Sequence, residues 1–432
     1  METQEIQSLT PLRGLAAIWV VCFHYGVVYF AFHPEQFSWI FNKGYLAVDM
    51  FFMLSGFVLS HVYWRTFVSA EALQAKDYWS FIGARIARLY PSHLFNLGLF
   101  LIATLGFSVY DYIHASKFDA IPLHGARSLT ALLANLVMLQ GLKASDLAWN
   151  YPAWSISVEF LAYFLFPLAL PFIALAEGLR RRLLAGMAFF CLCLFAYLAN
   201  GDFNQWNGPM TLLRCLPEFI VGALLYAGFR ESSWPDCLKW DSAIAAICCG
   251  ILVLLHFGIP DLIIVITFPA VILSAVMNVG RVAPILNSAP LIWLGNISYS
   301  LYLAHGFVQF VTTRLLAATD VQKATNLSDA NSITLLIVMS AATMLLATFS
   351  YRQVEVAGRS YLRRLLRSQY ERSPAKDSRQ SRKASSATAG SPTQRHPLPR
   401  SSASAIPPTR IKLIAQAASR LNQPRATNLK PR

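Results

Sequence analysis

Charged side chains are scarce in this sequence. They make up 13% of its 432 residues, whereas hydrophobic side chains make up 55%. The charged share is about half that of an ordinary soluble domain, which excludes a water-soluble globular protein. Apolar stretches of about 18 residues or more recur along the chain, and a helix of this length crosses a bilayer. The composition therefore predicts an all-α polytopic membrane protein.

Cysteine motifs are missing as well. The chain has seven cysteines, an odd number, and no CxxC spacing. All but Cys237 lie in apolar stretches, where cysteine behaves as a small hydrophobic residue. The pattern predicts neither a disulfide framework nor a metal site.

A net positive charge is absent from most of the chain, although the whole chain carries +14. Half of the 36 lysines and arginines lie in residues 352–432, which hold only three acidic residues. The rest of the chain is close to neutral, which excludes nucleic acid as its partner. Residues 361–432 are rich in Ser, Pro and Arg, so we expect a disordered cytoplasmic tail that attracts anionic lipid headgroups. We expect residues 1–360 to form the membrane domain.

Hydropathy predicts ten membrane helices. Their expected positions are 11–31, 44–64, 88–109, 153–176, 183–200, 212–229, 242–258, 260–278, 290–312 and 332–351. The apolar segment 128–142 is too short to cross upright, and we expect a re-entrant or interfacial helix there. With a cytoplasmic N-terminus, the inner loops hold ten lysines or arginines before the tail is counted, and the outer loops hold six. Both termini are therefore predicted to face the cytoplasm.

The first predicted helix contains two ionisable residues, which are costly in hydrocarbon and usually functional. Arg13 and His24 are 11 residues apart, which puts them on one helix face and about 16 Å apart along its axis. The predicted orientation puts Arg13 at the cytoplasmic mouth and His24 beyond the membrane centre. A ligand with a charged end and a distant reactive end, such as acyl-CoA, fits this spacing. The alternative is that His24 is a hydrogen-bonded packing residue.

Other ionisable residues are expected at the depth of His24, in the outer half of the bilayer. They are Asp49, Glu159, Glu218 and His305. Four helices thus offer polar groups to one layer, which predicts a shared polar cavity. Two structural alternatives stay open. In the first alternative, a buried structural ion pair joins Arg214 and Glu218, which are one helical turn apart. In the second, the only role of Arg85 and Arg88 is to anchor their helix at the cytoplasmic membrane surface.

Six segments carry motifs that follow one another along the chain. They are the Arg-x10-His pattern of Arg13 and His24, GYLAVDMFFMLSGFVLS (44–60), RIARLYP (85–91), WSISVE (154–159), RCLPEFIVG (214–222) and LGNISYSLYLAH (294–305). In this order they resemble the acyltransferase-3 family of membrane proteins, which acylate carbohydrates. The resemblance covers about residues 8–358. In YRQVEVAGR (351–359) the chain has Ala357 where the family usually has proline, which bears on where the last helix ends.

The resemblance implies an O-acyltransferase of the bacterial inner membrane. Such an enzyme moves an acyl group, commonly acetyl, from cytoplasmic acyl-CoA to a sugar hydroxyl of an extracytoplasmic or lipid-linked glycan. Arg13, Arg85 and Arg88 are expected to hold the phosphates of CoA, because guanidinium groups bind phosphate through several hydrogen bonds. No metal is implied.

The resemblance also implies roles for the residues of the outer half. His24 is expected to be the general base, because an imidazole titrates near neutral pH. Asp49 or Glu159 is expected to orient its ring, and the residues leave that choice open. Ser55 is a conceivable covalent carrier of the acyl group, and a packing role is the alternative. The residues expected on the acceptor side are Trp154, Arg214, Glu218, Tyr299, Tyr302 and His305.

Two other classes of protein compete with this interpretation. A secondary transporter or a flippase for lipid-linked glycans also has many helices and charges near the membrane midplane. A non-catalytic scaffold is the third possibility, although it gains nothing from buried charges. A transporter has no need for a basic mouth joined to a histidine three turns deeper, so release of CoA from acyl-CoA separates the classes.

Overall fold

The structure is a computed structural model that describes residues 6–29, 36–68, 74–115, 127–142, 149–205, 208–231, 234–318 and 329–366. Regular structure in these ranges is helical, and the described residues contain no strand. The predicted all-α class is therefore confirmed for the described part of the chain. The predicted tail spans residues 361–432, and its part beyond residue 366 lies outside the described residues.

The described ranges contain thirteen α-helices. In chain order they are α1 (Leu9–Tyr29), α2 (Ala47–Val68), α3 (Ala75–Ala115), α4 (Leu129–Leu136), α5 (Trp154–Ala174), α6 (Gly178–Leu198), α7 (Leu212–Arg230), α8 (Asp241–His256), α9 (Asp261–Val265), α10 (Phe268–Met277), α11 (Val282–Leu286), α12 (Ala289–Ala318) and α13 (Asp329–Phe349). A wider π-helical segment, Ser350–Glu355, follows α13, and helix continues to residue 366.

Six helical segments are long and apolar enough to cross a membrane. They are Gly44–Val68, Ala75–His114, Tyr151–Ala174, Gly178–Leu198, Pro209–Arg230 and Ala330–Leu366. Two more apolar helical segments, Asp241–His256 and Asp261–Met277, are shorter. These helices are those of an integral membrane protein. Helices α1 and α12 are not among the six, and both have ionisable residues within them.

Three predicted segments differ from the structure in their bounds. Helix α3 is 41 residues long and begins well before residue 88. The segment predicted at 260–278 is divided into α9 and α10. The last helix continues past residue 351 to residue 366, through Ala357. Without proline there, the backbone keeps its hydrogen-bond donors and has no ring clash that would end the helix.

Close helix crossings hold the polar layer together. Gly56 of α2 and Gly222 of α7 each face a backbone carbonyl of the other helix, so closely that a methyl group would overlap it. Gly14 of α1 meets α12 in the same way, and a methyl group on it would lie 2.8 Å from the Gly295 nitrogen. Small residues allow this approach between membrane helices. The crossings fix α1, α2, α7 and α12, the helices that carry most of the predicted polar residues.

Candidate active site

Helix α1 carries both Arg13 and His24, and each lines a different cavity. We name these the Arg13 cavity, of about 430 Å³, and the His24 cavity, of about 550 Å³, both volumes including the open solvent at the cavity mouth. Val48 of α2 and Tyr302 of α12 line both cavities. The two cavities therefore adjoin, with these two side chains between them.

The wall of the Arg13 cavity is rich in hydrogen-bonding groups. It includes Ser55, Ser155, Glu159, Ser298 and Tyr299 beside the guanidinium of Arg13. Ser55 donates a hydrogen bond to Oε1 of Glu159, and the hydroxyl of Tyr163 donates to the same oxygen at 2.6 Å. The cavity thus combines one cation, one fixed carboxylate and several hydroxyl groups.

Four arginines gather beside the Arg13 cavity. Arg88 forms an ion pair with Glu355, whose side chain is fully buried in the π-helical segment. Arg13, Arg85 and Arg359 lie near enough to Arg88 for their charges to repel its own. Glu355 neutralises one of these four charges. The remaining positive charge makes this end of the protein attractive to an anion.

The guanidinium of Arg85 keeps free hydrogen-bond donors. Its Nη2 donates to the hydroxyl of Tyr63 at 3.1 Å, and its Nε has no acceptor among the described residues. Its charge lies over the rings of Tyr63, Phe81 and Tyr163, between 5.5 and 5.9 Å from their centroids. These rings hold Arg85 in place while leaving donors for another ligand.

In the His24 cavity, two histidines from different helices meet. Nδ1 of His24 lies 3.1 Å from Nε2 of His305 and 3.0 Å from the Val20 carbonyl oxygen, one turn earlier in α1. His305 is fully buried, whereas His24 is partly exposed to the cavity. The ring of Tyr151 stands edge-on to His24 at 5.0 Å between centroids. His24 therefore presents an imidazole to the cavity and contacts a second imidazole behind it.

Asp49 and Arg214 form a buried ion pair at the edge of the His24 cavity. Nε and Nη2 of Arg214 donate to the two Asp49 oxygens at 2.7 and 2.6 Å, in the two-point geometry that makes such pairs strong. Arg214 also donates to the Phe203 carbonyl at 3.0 Å and to the Tyr45 carbonyl at 3.3 Å. Its charge lies 5.6 Å from the ring centroid of Trp154, another cavity residue.

The structure separates the two carboxylates from the histidine that one of them was expected to orient. Asp49 is bound to Arg214, and Glu159 is bound to Ser55 and Tyr163. Neither is hydrogen-bonded to His24, whose neighbour is His305.

The structure also differs from the alternative in which Arg214 forms its ion pair with Glu218. Arg214 pairs with Asp49 of α2, not with Glu218 one turn away in α7. Glu218 is fully buried and lies beside the carboxylate of Asp49.

Two tyrosines of α12 are fixed by hydrogen bonds at the cavity walls. The Tyr302 hydroxyl donates to the Pro152 carbonyl at 2.9 Å and contacts the Ser155 hydroxyl at 2.7 Å. The Tyr299 hydroxyl donates to the Leu89 carbonyl at 2.8 Å. Tyr302 thus joins α12 to the start of α5 at the boundary between the cavities.

Three residues in or beside these cavities were not predicted from the sequence. Two of them, Glu355 and Arg359, lie in the segment YRQVEVAGR (351–359). Two charged residues at the end of an apolar helix indicate a functional site, so the sequence contained a signal for them. Tyr151 precedes the WSISVE motif in a short helical turn, and no sequence signal pointed to its contact with His24.

Comparisons with known proteins agree with the motifs. The profile of the acyltransferase-3 family, described as an acyltransferase domain, matches residues 6–352. Acyltransferase MdmB of Streptomyces mycarofaciens is 27% identical over 70% of this chain and 79% of its own length. O-acetyltransferase OatA of Staphylococcus aureus (strain NCTC 8325 / PS 47) is 24% identical over 69% of this chain, and a candidate O-acetyltransferase of strain COL is 25% identical over the same share.

The relatives also differ from this chain in extent. The chain spans about half the length of the two Staphylococcus aureus proteins. No solved structure matches it significantly. Because the family profile covers most of the sequence, including all six motifs, this chain belongs to the acyltransferase-3 family of acyltransferase enzymes.

Proposed function

We propose that this protein is a membrane O-acyltransferase. It moves an acyl group from cytoplasmic acyl-CoA to a hydroxyl of an extracytoplasmic or lipid-linked glycan. The observation that carries the proposal is the pair of adjoining cavities on α1, one containing Arg13 and one containing His24. A donor with a phosphate end and a distant acyl end would enter the first cavity and present its thioester near the second.

The arginine cluster supports the donor end of this proposal. Arg13, Arg85 and Arg88 would hold the phosphates of CoA, and Arg359 adds a fourth charge to the same cluster. The hydroxyl groups and the carboxylate of the Arg13 cavity would meet the amides of the pantetheine arm. The reach from Arg13 to His24 along α1 is about 16 Å, a distance that the extended arm covers.

In the proposed reaction His24 acts as general base. The acceptor hydroxyl gives its proton to Nε2 of His24 while its oxygen forms a bond to the acyl carbon. The bond from the acyl carbon to the CoA sulfur breaks, and the proton then passes from His24 to the departing thiolate. The acceptor and the general base would be surrounded by Trp154, Arg214, Tyr302 and His305. Asp49 would act indirectly, because it holds Arg214 in the cavity wall. Tyr299 and Glu159 would line the path without reacting, and Glu218 would lie behind its wall, beside Asp49.

The proposed orientation has ten crossings and both termini in the cytoplasm. The six long helical segments, α1, α12 and the two shorter apolar segments together supply ten crossings. Contacts between helix ends mark the two sides of the bundle. Lys43 contacts Asp261 at one end of the bundle, while Arg181 contacts Glu231 at the other. The bacterial inner membrane is the proposed location, because acyl-CoA is cytoplasmic.

The names of the relatives favour acetyl as the acyl group and an oxygen atom as its acceptor. Two of them carry the word O-acetyltransferase in their names. The ring of Trp154 in the His24 cavity offers an aromatic face of the kind on which sugars stack.

The first prediction tests this function directly. The purified protein is placed in vesicles with acetyl-CoA and glycans from the producing cells, and free CoA thiol and acetylated glycan are measured. We expect His24→Ala to lower the transfer rate about 100-fold or more, since a general base contributes 10²–10⁴-fold. His114→Ala is the matched control, because His114 is exposed at the end of α3 and lines neither cavity.

Two results would contradict the proposal. A wild-type protein that moves glycans or ions without releasing CoA would be a flippase or transporter. A folded His24→Ala variant that transfers acetyl at the wild-type rate would remove His24 from the chemistry. Mass spectrometry of surface glycans from cells with and without the active protein identifies the acceptor.

A further inference from the structure

The contact between the two histidines determines which nitrogen of each carries the proton. Nδ1 of His24 lies within hydrogen-bond distance of the Val20 carbonyl oxygen and of Nε2 of His305. A carbonyl oxygen only accepts, so a bond to it requires a proton on Nδ1 of His24. The same N–H then faces Nε2 of His305, which has to be the acceptor.

This assignment has a consequence for each ring. His24 in its neutral form keeps its lone pair on Nε2, the nitrogen away from His305. Because its Nε2 accepts, His305 is neutral and carries its own proton on Nδ1, a buried nitrogen without a hydrogen-bond acceptor among the described residues. The opposite assignment would place the His24 Nδ1 lone pair 3.0 Å from the Val20 oxygen, which repels it.

We infer that His305 is the positioning residue of the proposed general base. It accepts the Nδ1 hydrogen of His24 and so takes the place of the carboxylate that serves this purpose in serine hydrolases. This inference rests on the proposed function of His24. It departs from the expected roles of Asp49 and Glu159, which are bound to other side chains.

Hydrogen bonds join α1 to α12 on both sides of the histidine pair. The Tyr25 hydroxyl donates to the His305 carbonyl at 3.0 Å and contacts the Thr343 hydroxyl of α13 at 2.6 Å. Nε2 of Gln309 donates to the His24 carbonyl at 3.3 Å. These bonds set the separation of the two rings, as a positioning role requires.

A neutral partner suits a reaction in which the base returns its proton. When His24 takes the acceptor proton, its Nδ1–H strengthens its bond to the His305 lone pair, and the pair carries a single positive charge. A carboxylate in this place would form an ion pair with the imidazolium and oppose transfer of the proton to the CoA thiolate. The titratable or charged groups facing the pair are Tyr25, Tyr45, Tyr151, Arg214 and Tyr302.

The experiment compares substitutions of His305 in the acetyl-CoA transfer assay, with KM for acetyl-CoA measured separately. His305→Leu removes the acceptor atom, and we expect kcat to fall about 100-fold with KM changed less than about threefold, as for loss of an interaction made in the transition state. His305→Gln is able to place an oxygen near the position of Nε2, and we expect kcat within about tenfold of wild type. His305→Asn is too short to reach His24 and should behave like His305→Leu.

A double substitution separates positioning from structure. If His305 acts only through His24, then His24→Ala with His305→Leu transfers no more slowly than His24→Ala alone, because groups that act as a unit are not additive. His93→Leu is the matched control. His93 is also a buried histidine, bonded through Nε2 to the Asn135 carbonyl at 2.8 Å, but it lines neither cavity. We expect it to lower thermal stability and leave kcat within about threefold of wild type.

Each remaining result overturns one claim. A folded His305→Leu variant with wild-type kcat, or additive losses in the double variant, would make His305 a packing residue. If His305→Leu does not fold, the test is the comparison of His305→Gln with His305→Asn. Equal activities of these two variants would likewise make His305 a packing residue. If the wild-type protein transfers no acetyl group, the proposed function itself fails. Loss of activity in His24→Ala with no effect at His305 contradicts only the histidine pair.

Discussion

Among the single side chains, Arg88 has the most consequential partner. Its ion pair with Glu355 joins α3 to the π-helical segment, and Ser300 of α12 donates to the other Glu355 oxygen at 2.8 Å. The pair leaves Arg88 neutralised while Arg13 and Arg85 keep donors for a ligand. A π-helical turn at this point agrees with the frequent occurrence of such turns at functional sites.

We predict that Glu355→Gln makes the stability of the protein depend on CoA. Removing the carboxylate leaves an uncompensated guanidinium among three others, which should cost about 3–5 kcal/mol of unfolding free energy. The phosphates of CoA would replace the lost negative charge. Thermal unfolding in detergent should therefore show a larger increase in melting temperature on adding CoA for Glu355→Gln than for wild type.

Glu231→Gln is the control for this prediction. Glu231 also pairs with an arginine, Arg181, at 2.5 and 2.7 Å, but its side chain is 47% exposed. An exposed pair is worth about 1 kcal/mol or less, so we expect a small loss of stability and the wild-type response to CoA. Equal responses to CoA in all three proteins would mean that the arginine cluster does not bind the phosphates.

At the level of helices, the crossing of α2 and α7 holds the ion pair of Asp49 and Arg214. Asp49 lies on α2, Arg214 lies on α7, and the glycines Gly56 and Gly222 allow the two backbones to touch. Direct backbone contact brings the short aspartate within reach of the guanidinium. The crossing therefore supports the wall of the His24 cavity.

We predict that Gly222→Ala lowers stability and activity together. The added methyl group would overlap the Met53 carbonyl and separate the helices, a change that usually costs about 1–3 kcal/mol. Melting temperature and transfer rate are the measurements. Gly98→Ala in α3 is the matched control, since no atom lies within 4 Å of the added methyl group, and alanine favours helix over glycine by about 1 kcal/mol. A Gly222→Ala protein as stable as Gly98→Ala would show that the helices separate without cost.

The sequence allows the depth of each ionisable residue to be predicted, but not its partner. Depth follows from counting along an apolar stretch, because each helical residue adds about 1.5 Å. The direction of a side chain around its helix depends on which helices cross, and periodicity is weak in helices that are apolar on all sides. Asp49 and His24 were expected at one depth, yet the close contact of α2 with α7 directs Asp49 to Arg214. The meeting of His24 with His305 depends likewise on the contact of α1 with α12.

Across the whole molecule, contacts between helix ends divide the bundle into two sides. Arg181 contacts Glu231 on one side, and there a methyl group on Gly83 would touch Leu366. On the other side Asp261 accepts hydrogen bonds from Lys43 at 2.5 Å, from Tyr45 at 2.9 Å and from the Phe203 nitrogen at 2.8 Å. The arginine cluster lies towards the first side and the His24 cavity towards the second. The proposed reaction requires the first side to be cytoplasmic, because acyl-CoA is made there.

The orientation can be tested with a cysteine that the chain already has. Cys237 is exposed between α7 and α8, on the side proposed to be cytoplasmic. Asn200, exposed in the turn after α6, lies on the opposite side. In a chain whose other six cysteines are replaced by alanine, a maleimide that does not cross membranes should label Cys237 only after the cells are permeabilised. In the same background with Cys237 also replaced, Asn200→Cys should be labelled in intact spheroplasts. The reverse pattern would put the arginine cluster outside, where no acyl-CoA reaches it, and would contradict the proposed direction of transfer.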